Sequence, residues 1–342
     1  MEKKYDVVGM GELLIDFTSE GTSEQGNPIF QACPGGAICN VLSMLSKLGK
    51  KTAFIGKVGN DQFGHMLSNT ITEVGIDNSG LVKDPNVNTT LAFVHTLENG
   101  DRSFSFYRNP GADMMLTKDE VNYELIRESR AFHFGTLSMT SEPVLSATKK
   151  AIEVAKESGC MITFDPNYRP PLWKSEEDAK AAMDFGLRNC DVLKISDNEI
   201  QFITGKEKYD DGIQDLMDKY NIPLIFLTMG KDGSRAYYKG KSVERPGFKV
   251  NAIETTGAGD TFCACAIQKV LNHGLENLNE KVLGHILTFA NAAAALITLK
   301  KGALKAMPSR KELLSFIKNE ISRKMDSKGI KNNRDSKELE RE

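Results

Sequence analysis

Nothing in this 342-residue sequence approaches the ~20 consecutive apolar residues that a bilayer span needs, so no membrane partner is expected. An excess of one charge is also missing. With 44 Lys+Arg against 46 Asp+Glu the formal net charge is -2, which gives no electrostatic footprint for nucleic acid. The six cysteines, from Cys33 to Cys265, contain no Cys-x-x-Cys pair and read as reduced intracellular thiols. Cys263 and Cys265 lie two apart in a helical stretch, where their side chains diverge and cannot easily clamp one metal. The five histidines have no metal-ligand spacing. No Gly-x-x-x-x-Gly-Lys-Ser/Thr loop occurs, and Gly9-x-Gly11 lacks the third glycine of a dinucleotide fingerprint because Leu14 stands in its place. Asp184-Phe185-Gly186 spells a protein-kinase tripeptide inside a helical stretch, with no His-Arg-Asp loop before it. The single tryptophan, Trp173, follows Pro170-Pro171 and reads as a loop anchor. The opening residues carry an apolar run broken by Gly, Glu and Asp, which fits a first strand and not a signal peptide. A cytoplasmic location is therefore the default expectation.

What is present is the balance of a folded protein, 40% hydrophobic and 26% charged. Short apolar runs at Tyr5–Met10, Lys51–Val58, Arg130–Phe134, Met161–Asp165, Val192–Ile195 and Leu224–Thr228 read as buried strands. Amphipathic helices are expected at Ala37–Leu48, Asp61–Val74, Glu142–Glu157, Glu176–Asn189 and Asp210–Tyr220. Such alternation implies an α/β fold with a mostly parallel sheet covered on both faces. Two stretches break the rhythm. Thr89–Tyr107 alternates like a hairpin turning at Asn99-Gly100, and Phe17–Ala32 is polar and irregular. Together they are expected to form a small sheet projecting beside a cleft, the natural place for a lid. Helices follow at Asp260–Asn272, Glu280–Leu299 and Ser309–Arg323, and then a charged tail.

The sharpest feature is Glu254-Thr255-Thr256-Gly257-Ala258-Gly259-Asp260. A Gly-Ala-Gly turn feeding a helix directs several backbone N–H groups at one point, which makes an anion site. An Asp there would repel a resting phosphate, but it is useful where a nucleophile beside that phosphate must lose a proton. The plain alternative is that Asp260 only caps the helix, as Asp does well.

At this motif, and at Gly35-Gly36-Ala37-Ile38-Cys39-Asn40, the chain resembles the ribokinase-like (PfkB-type) sugar kinases, and within them the bacterial fructokinases. The resemblance spans roughly residues 5–320. It implies a ribokinase-like fold in residues 1–323, with a β lid drawn from about 12–35 and 88–113 and a tail over 324–342. It implies that Asp260 takes the proton of a primary sugar hydroxyl, while the N–H groups of Gly257, Ala258 and Gly259 stabilise charge on the transferring phosphoryl group. Asp16, Gly35, Gly36 and Asn40 are expected to hold the sugar. Arg108, Asn167 and Arg169, in two stretches typical of fructokinases, are expected beside it; either arginine could instead serve a structural ion pair.

On the nucleotide side the resemblance points to Lys194, Thr228, Gly230, Gly233 and Asn291 for ATP, with core packing as the alternative for Asn291. Glu199 would act on Mg²⁺ through water; Ser196 stands where relatives have Asn. Relatives that use K⁺ place ligands at the positions of Glu254 and Thr256. Glu254 replaces the usual Asp, which leaves the K⁺ requirement open. Ile38 and Cys39 replace smaller residues, reshaping either the sugar pocket or only the helix packing. Fructose is the first substrate expected, then 2-keto-3-deoxygluconate, then ribose or a nucleoside. A homodimer joined through the lids and a non-catalytic sugar-binding protein on the same fold complete the set.

Overall fold

The protein is described by a computed structural model over residues 3–96 and 102–326. The expected Asn99-Gly100 turn and residues 327–342 of the expected tail lie outside the described residues. In chain order the first half comprises β1 (Tyr5–Met10), β2 (Leu14–Thr22), β3 (Pro28–Gly35), α1 (Ala37–Lys47), β4 (Thr52–Gly59), α2 (Gln62–Glu73), β5 (Ile76–Asp84), β6 (Leu91–Thr96) and β7 (Arg102–Tyr107). Then come α3 (Tyr123–Arg127), β8 (Ser129–Gly135), α4 (Val144–Glu157), β9 (Met161–Asp165), α5 (Glu176–Leu187), β10 (Val192–Ser196), α6 (Asp197–Thr204) and α7 (Tyr209–Tyr220). The chain continues through β11 (Leu224–Thr228), β12 (Gly233–Tyr238), β13 (Lys241–Pro246), α8 (Ala258–His273), α9 (Glu280–Ile297) and α10 (Arg310–Asp326).

Nine strands form the main sheet in the order β13-β12-β11-β10-β9-β8-β1-β4-β5. The strands from β5 to β11 run parallel, and β12 and β13 add an antiparallel edge. Continuous burial along β4 and at β1, β10 and β11 reflects cover on both faces. One face packs on α1, α8 and α9 through residues such as Leu42, Phe262 and Leu287. The other carries Phe132, Phe134 and Phe164, the last two stacked at 4.8 Å. After β1 the chain builds outward through β4 and β5, then returns to β8 on β1's other side. That reversal opens a crevice at the carboxyl ends of β1 and β8, where α/β sheets bind ligands.

A second sheet, β3-β2-β6-β7, stands over that crevice. Phe93 stacks on Phe17 at 4.8 Å and meets Phe30 and Tyr107 edge-on, giving this thin sheet an aromatic core of its own. Phe17 also meets Phe63 of α2, and Lys301, between α9 and α10, donates to Glu20 of β2 at 2.8 Å. These contacts join the small sheet to the body, and Ile15, Ala32 and Leu91 add apolar packing against the core.

Five elements were not expected from the sequence: β5, α3, α6, β12 and β13. The hairpin of β12 and β13 turns on Lys239 and Gly240, both with positive φ (49° and 72°). Lys-Gly is a weak hairpin signal, because lysine lacks the tolerance of Asn for that region. The last helix extends to Asp326 and takes in three residues assigned above to the tail. Asp184 lies mid-helix, tied to Arg188, Lys219 and Tyr220, so its tripeptide is indeed accidental. Among the described residues no helix is long and apolar enough to cross a membrane.

Candidate active site

A cleft of about 990 Å³ lies between the small sheet and the carboxyl ends of the main strands. Its polar walls come from Glu12, Asp16, Asn40, Asn167, Arg169, Lys194, Glu199 and Asp260. Phe106 of β7 faces Pro170 and Pro171 at its rim.

Asp260 sits in the first turn of α8, but it does not cap the helix. The cap is Gly257, in the left-handed region with φ 77°, and Thr261 N–H donates to its carbonyl at 2.8 Å. A Cβ at Gly257 would also lie 2.9 Å from that of Ala303, so glycine is needed there twice over. Freed from capping, Asp260 accepts from Asn40 Nδ2 at 2.8 Å and from Asn167 Nδ2 at 3.3 Å. Asn167 holds positive φ (47°), a conformation Asn tolerates, which carries its amide back over the end of β9. Burial raises the Asp260 pKa above the ordinary carboxylate value, against the Asn40 bond and the charges of Lys194 and Arg169. Of the three backbone groups expected to form an anion site, Ala258 N–H donates to Thr255 O at 3.3 Å, which closes the turn.

Asp16 lies on β2, where its register partner on β3 is Cys33, and its carboxylate reaches along β3 to Gly35. A Cβ at Gly35 would run into the Asp16 carboxylate, so this glycine makes room for it. Burial first, then Glu254 and Asp260, push the Asp16 carboxyl up to about 7, with Arg169 pulling the other way. Gly36 has φ 127°, and a Cβ there would strike the Glu12 carbonyl oxygen. Glu12 itself is buried and accepts from Ala37 N–H at 2.6 Å. Sequence reasoning gave it no role, although a carboxylate beside Gly11 at the end of β1 was a visible signal. Burial pushes its carboxyl up to about 7.

Lys194, at the end of β10, pairs with Asp165 at the end of β9 at 3.0 Å, both nearly inaccessible. Burial lowers the Lys194 pKa, but Asp165 and Glu199 outweigh it and hold the pKa above its ordinary value. Its Nζ is 3.3 Å from where a Cβ on Gly259 would stand, so the ammonium faces the start of α8. Asp165 is a second site residue with no role assigned from sequence. Glu199 closes a capping box with Ser196 at the head of α6, and its other oxygen accepts from Tyr168 N–H at 2.8 Å. Burial opposes the charge of Glu199, yet Lys194 and the N–H groups of Ser196 and Tyr168 hold its pKa below normal.

Residues 4–310 match the family model described as pfkB family carbohydrate kinase. The chain belongs to this family. Its Arabidopsis thaliana relative named probable fructokinase-2 is 42% identical, covering 92% of this chain and 96% of that one. Fructokinase-1 of Zea mays is 40% identical over 91% of this chain and 97% of its own. Among solved structures, fructokinase with bound ATP from Xylella fastidiosa superposes with a TM-score of 0.85 at 28% identity, covering 92% and 99% of the two chains. A Vibrio cholerae fructokinase variant, solved with fructose, ADP and potassium ion, gives a TM-score of 0.82 at 29% identity, covering 93% and 100%. The fold is ribokinase-like and the protein is a carbohydrate kinase.

Several residues expected in the site of this pfkB family kinase lie apart from the cleft walls. Arg108 takes the second of the two roles left open for it, an ion pair. Its side chain is 2% exposed and spent on Asp113 at 2.7 Å, Thr140 at 3.0 Å and Leu137 O at 2.9 Å, so it is a buried structural ion pair. Asn291 accepts from Ser234 and donates to Arg245 O and Pro246 O, pinning α9 to the edge hairpin. Its amide is used in packing. Thr228 ends β11, Gly230 begins the next turn with φ 52°, and Gly233 starts β12 with φ 113°. These three form one corner, but none lines the cleft walls. Glu254 and Thr256 do line them, and they are bonded to each other at 2.6 Å. Ile38 and Cys39 turn into the core, and Ile38 packs where Gly9 and Gly11 leave space, so their effect is on helix packing.

Proposed function

We propose that this carbohydrate kinase is an ATP-dependent fructokinase that phosphorylates the 6-hydroxyl of fructose. The observation that carries the reading is Asp260, held by Asn40 and Asn167 at the head of α8 inside the cleft. The sugar lies between Asp16 of the lid and Asn40 of α1, with its primary hydroxyl at Asp260. As the hydroxyl oxygen forms its bond to the γ-phosphorus, its proton passes to Asp260 and the bond to the leaving ADP breaks. Lys194 and the N–H groups of Gly257 and Gly259 offset charge on the transferring group, while that of Ala258 closes the turn. ATP runs from there toward the corner of Thr228, Gly230 and Gly233. The lid sheet covers the cleft and keeps water from competing.

Mg²⁺ supplies charge neutralisation for the phosphates when bound. Both Glu199 oxygens already accept hydrogen bonds, which suits a carboxylate that reaches a metal through water. The fit for K⁺ is poorer. Thr256 donates to one Glu254 oxygen and Gly302 N–H donates to the other at 2.9 Å, so a cation would share both oxygens with these donors.

A coupled ADP-release assay across fructose, 2-keto-3-deoxygluconate, ribose and adenosine tests the reading. Fructose is expected to give the highest kcat/KM. Turnover confined to the sugar acid would move the substrate, and Arg169 on the rim is the observation that favours it. No turnover with any acceptor would favour the sugar-binding protein.

The pH response supplies a separate check. A carboxylate binds sugar hydroxyls as an acceptor, and protonation spoils it. With Asp16 raised to about 7, the fructose KM is expected to rise as pH falls below that value. Asp16→Asn should have a high KM that no longer changes with pH in that window; a wild-type KM flat from pH 8 to 5.5 would refute the role.

The lid also carries our proposal for assembly. β3 and β7 are its edge strands, with Ile29 43% and Tyr107 67% exposed. Two chains pair through these lids. Light scattering is expected to give twice the chain mass, reduced toward one chain by Tyr107→Lys.

A further inference from the structure

We infer that Glu12 is a positioning residue for the transfer step, acting through α1 on Asp260. The inference rests on the reading of Asp260 as the base. Helix α1 starts on Gly36, which has no side chain to cap it. Its first turn therefore needs an acceptor from elsewhere. Glu12 supplies one. Its Oε1 takes the N–H of Ala37 at 2.6 Å, from the end of β1. Its backbone also matters, because the Glu12 carbonyl oxygen fills the space a Cβ on Gly36 would occupy. Ile38 is seated in the gaps left by Gly9 of β1 and by Gly11 just after it. The start of α1 is thus clamped to β1 by backbone, carboxylate and side-chain packing together.

One turn further along, Asn40 reaches Asp260 Oδ2 at 2.8 Å. Of its two amide atoms only Nδ2 is so engaged, and Oδ1 is buried with no hydrogen-bond partner. Asn40 therefore holds Asp260 by one bond, and its aim depends on where α1 begins. A helix start that drifts by a fraction of a turn would carry the Asn40 amide away from the carboxylate. Glu12 fixes that start, being buried in the cleft wall and bonded at the one N–H that sets it. Its carboxylate at the head of α1 also suits the helix dipole.

The effect should appear in kcat, since Glu12 sets the aim of the base. Misplacement by about 1 Å can cost on the order of 10²-fold, so Glu12→Ala is expected to lower kcat by about that factor. The fructose KM should move by less than about threefold. Glu12→Gln keeps an acceptor oxygen and should restore kcat to within about threefold of wild type. In a double-mutant cycle, Glu12→Ala should add little once Asn40→Ala is present, because the route to Asp260 is already cut. A purely structural Glu12 would lower the Tm and multiply with Asn40→Ala instead. Losses that multiply, a loss confined to KM, or a Gln variant as poor as Ala would each overturn the inference. If Glu12→Ala does not fold, Glu12→Asp, one methylene shorter, takes its place in the cycle. Asp260→Ala in the same assay separates the two levels. An active Asp260→Ala would sink the base itself. An inactive Asp260→Ala beside a normal Glu12→Ala would sink only the positioning role.

Discussion

Asp260→Asn is expected to lower kcat by at least ~10³-fold, toward the top of the range for a general base, while leaving the protein folded and able to bind sugar. The substitution keeps size and shape but removes the proton acceptor. Asn40 can adapt, since turning its amide over presents its unpartnered Oδ1 to the new amide. The stability consequence runs the opposite way to the activity. Burial raises the Asp260 pKa above its unfolded value, so the folded state favours the protonated form. The stability this gives is fully present below the unfolded pKa and is lost as pH rises through the folded one. At neutral pH the ionised carboxylate is thus a cost to the fold. Asp260→Asn should therefore melt no lower than wild type by calorimetry at pH 7.5. A variant both inactive and markedly less stable would make Asp260 a structural residue, and one retaining a tenth of wild-type kcat would not be missing its base.

The second large effect is on stability. Arg108→Ala should cost about 3–5 kcal/mol, read from urea unfolding, because it strands Asp113 as an uncompensated buried charge. Thr90 donates to Asp113 at 2.5 Å but brings no positive charge. Arg169 is the counter-example. It lies exposed at the rim of the cleft, with one bond to Tyr168 O. Arg169→Ala should leave the unfolding free energy within about 0.5 kcal/mol of wild type. It should raise the fructose KM by about tenfold or more, the worth of a lost charge-assisted hydrogen bond. If Arg108→Ala proved stable and failed only in KM, Arg108 would return to the sugar site.

That contrast shows what the sequence could and could not convey. Both arginines stood in motif-like stretches, and the one local difference was Asp113, five residues after Arg108. Its pairing is legible only with the distant Thr140 and Leu137, which the fold brings around Arg108 and not around Arg169. The same holds for Asn291, whose partners lie 45–57 residues away along the chain. Where chemistry depended on local backbone, the sequence was legible. The Gly-Ala-Gly turn, the helix after it and the Asp beside it were all foreseen, as were the parallel strands with their continuous apolar runs. Edge elements were harder. β13 is largely exposed and has no continuous apolar run, and the turn that joins it to the buried β12 lacks the usual Asn. Glu12 and Asp165 were passed over because a carboxylate at a strand end is unremarkable until burial is known.

The ownership of the two carboxylates has one more consequence. Asp16 belongs to the small sheet, while Asp260 and its two asparagine partners belong to the body. A hexose gripped at one end by Asp16 and at the other by Asp260 would be a splint between the small sheet and the body. Its residence time and the opening of the sheet would then be a single event. Slowing either by added solvent viscosity or by strengthening the Glu20–Lys301 contact should slow the other equally.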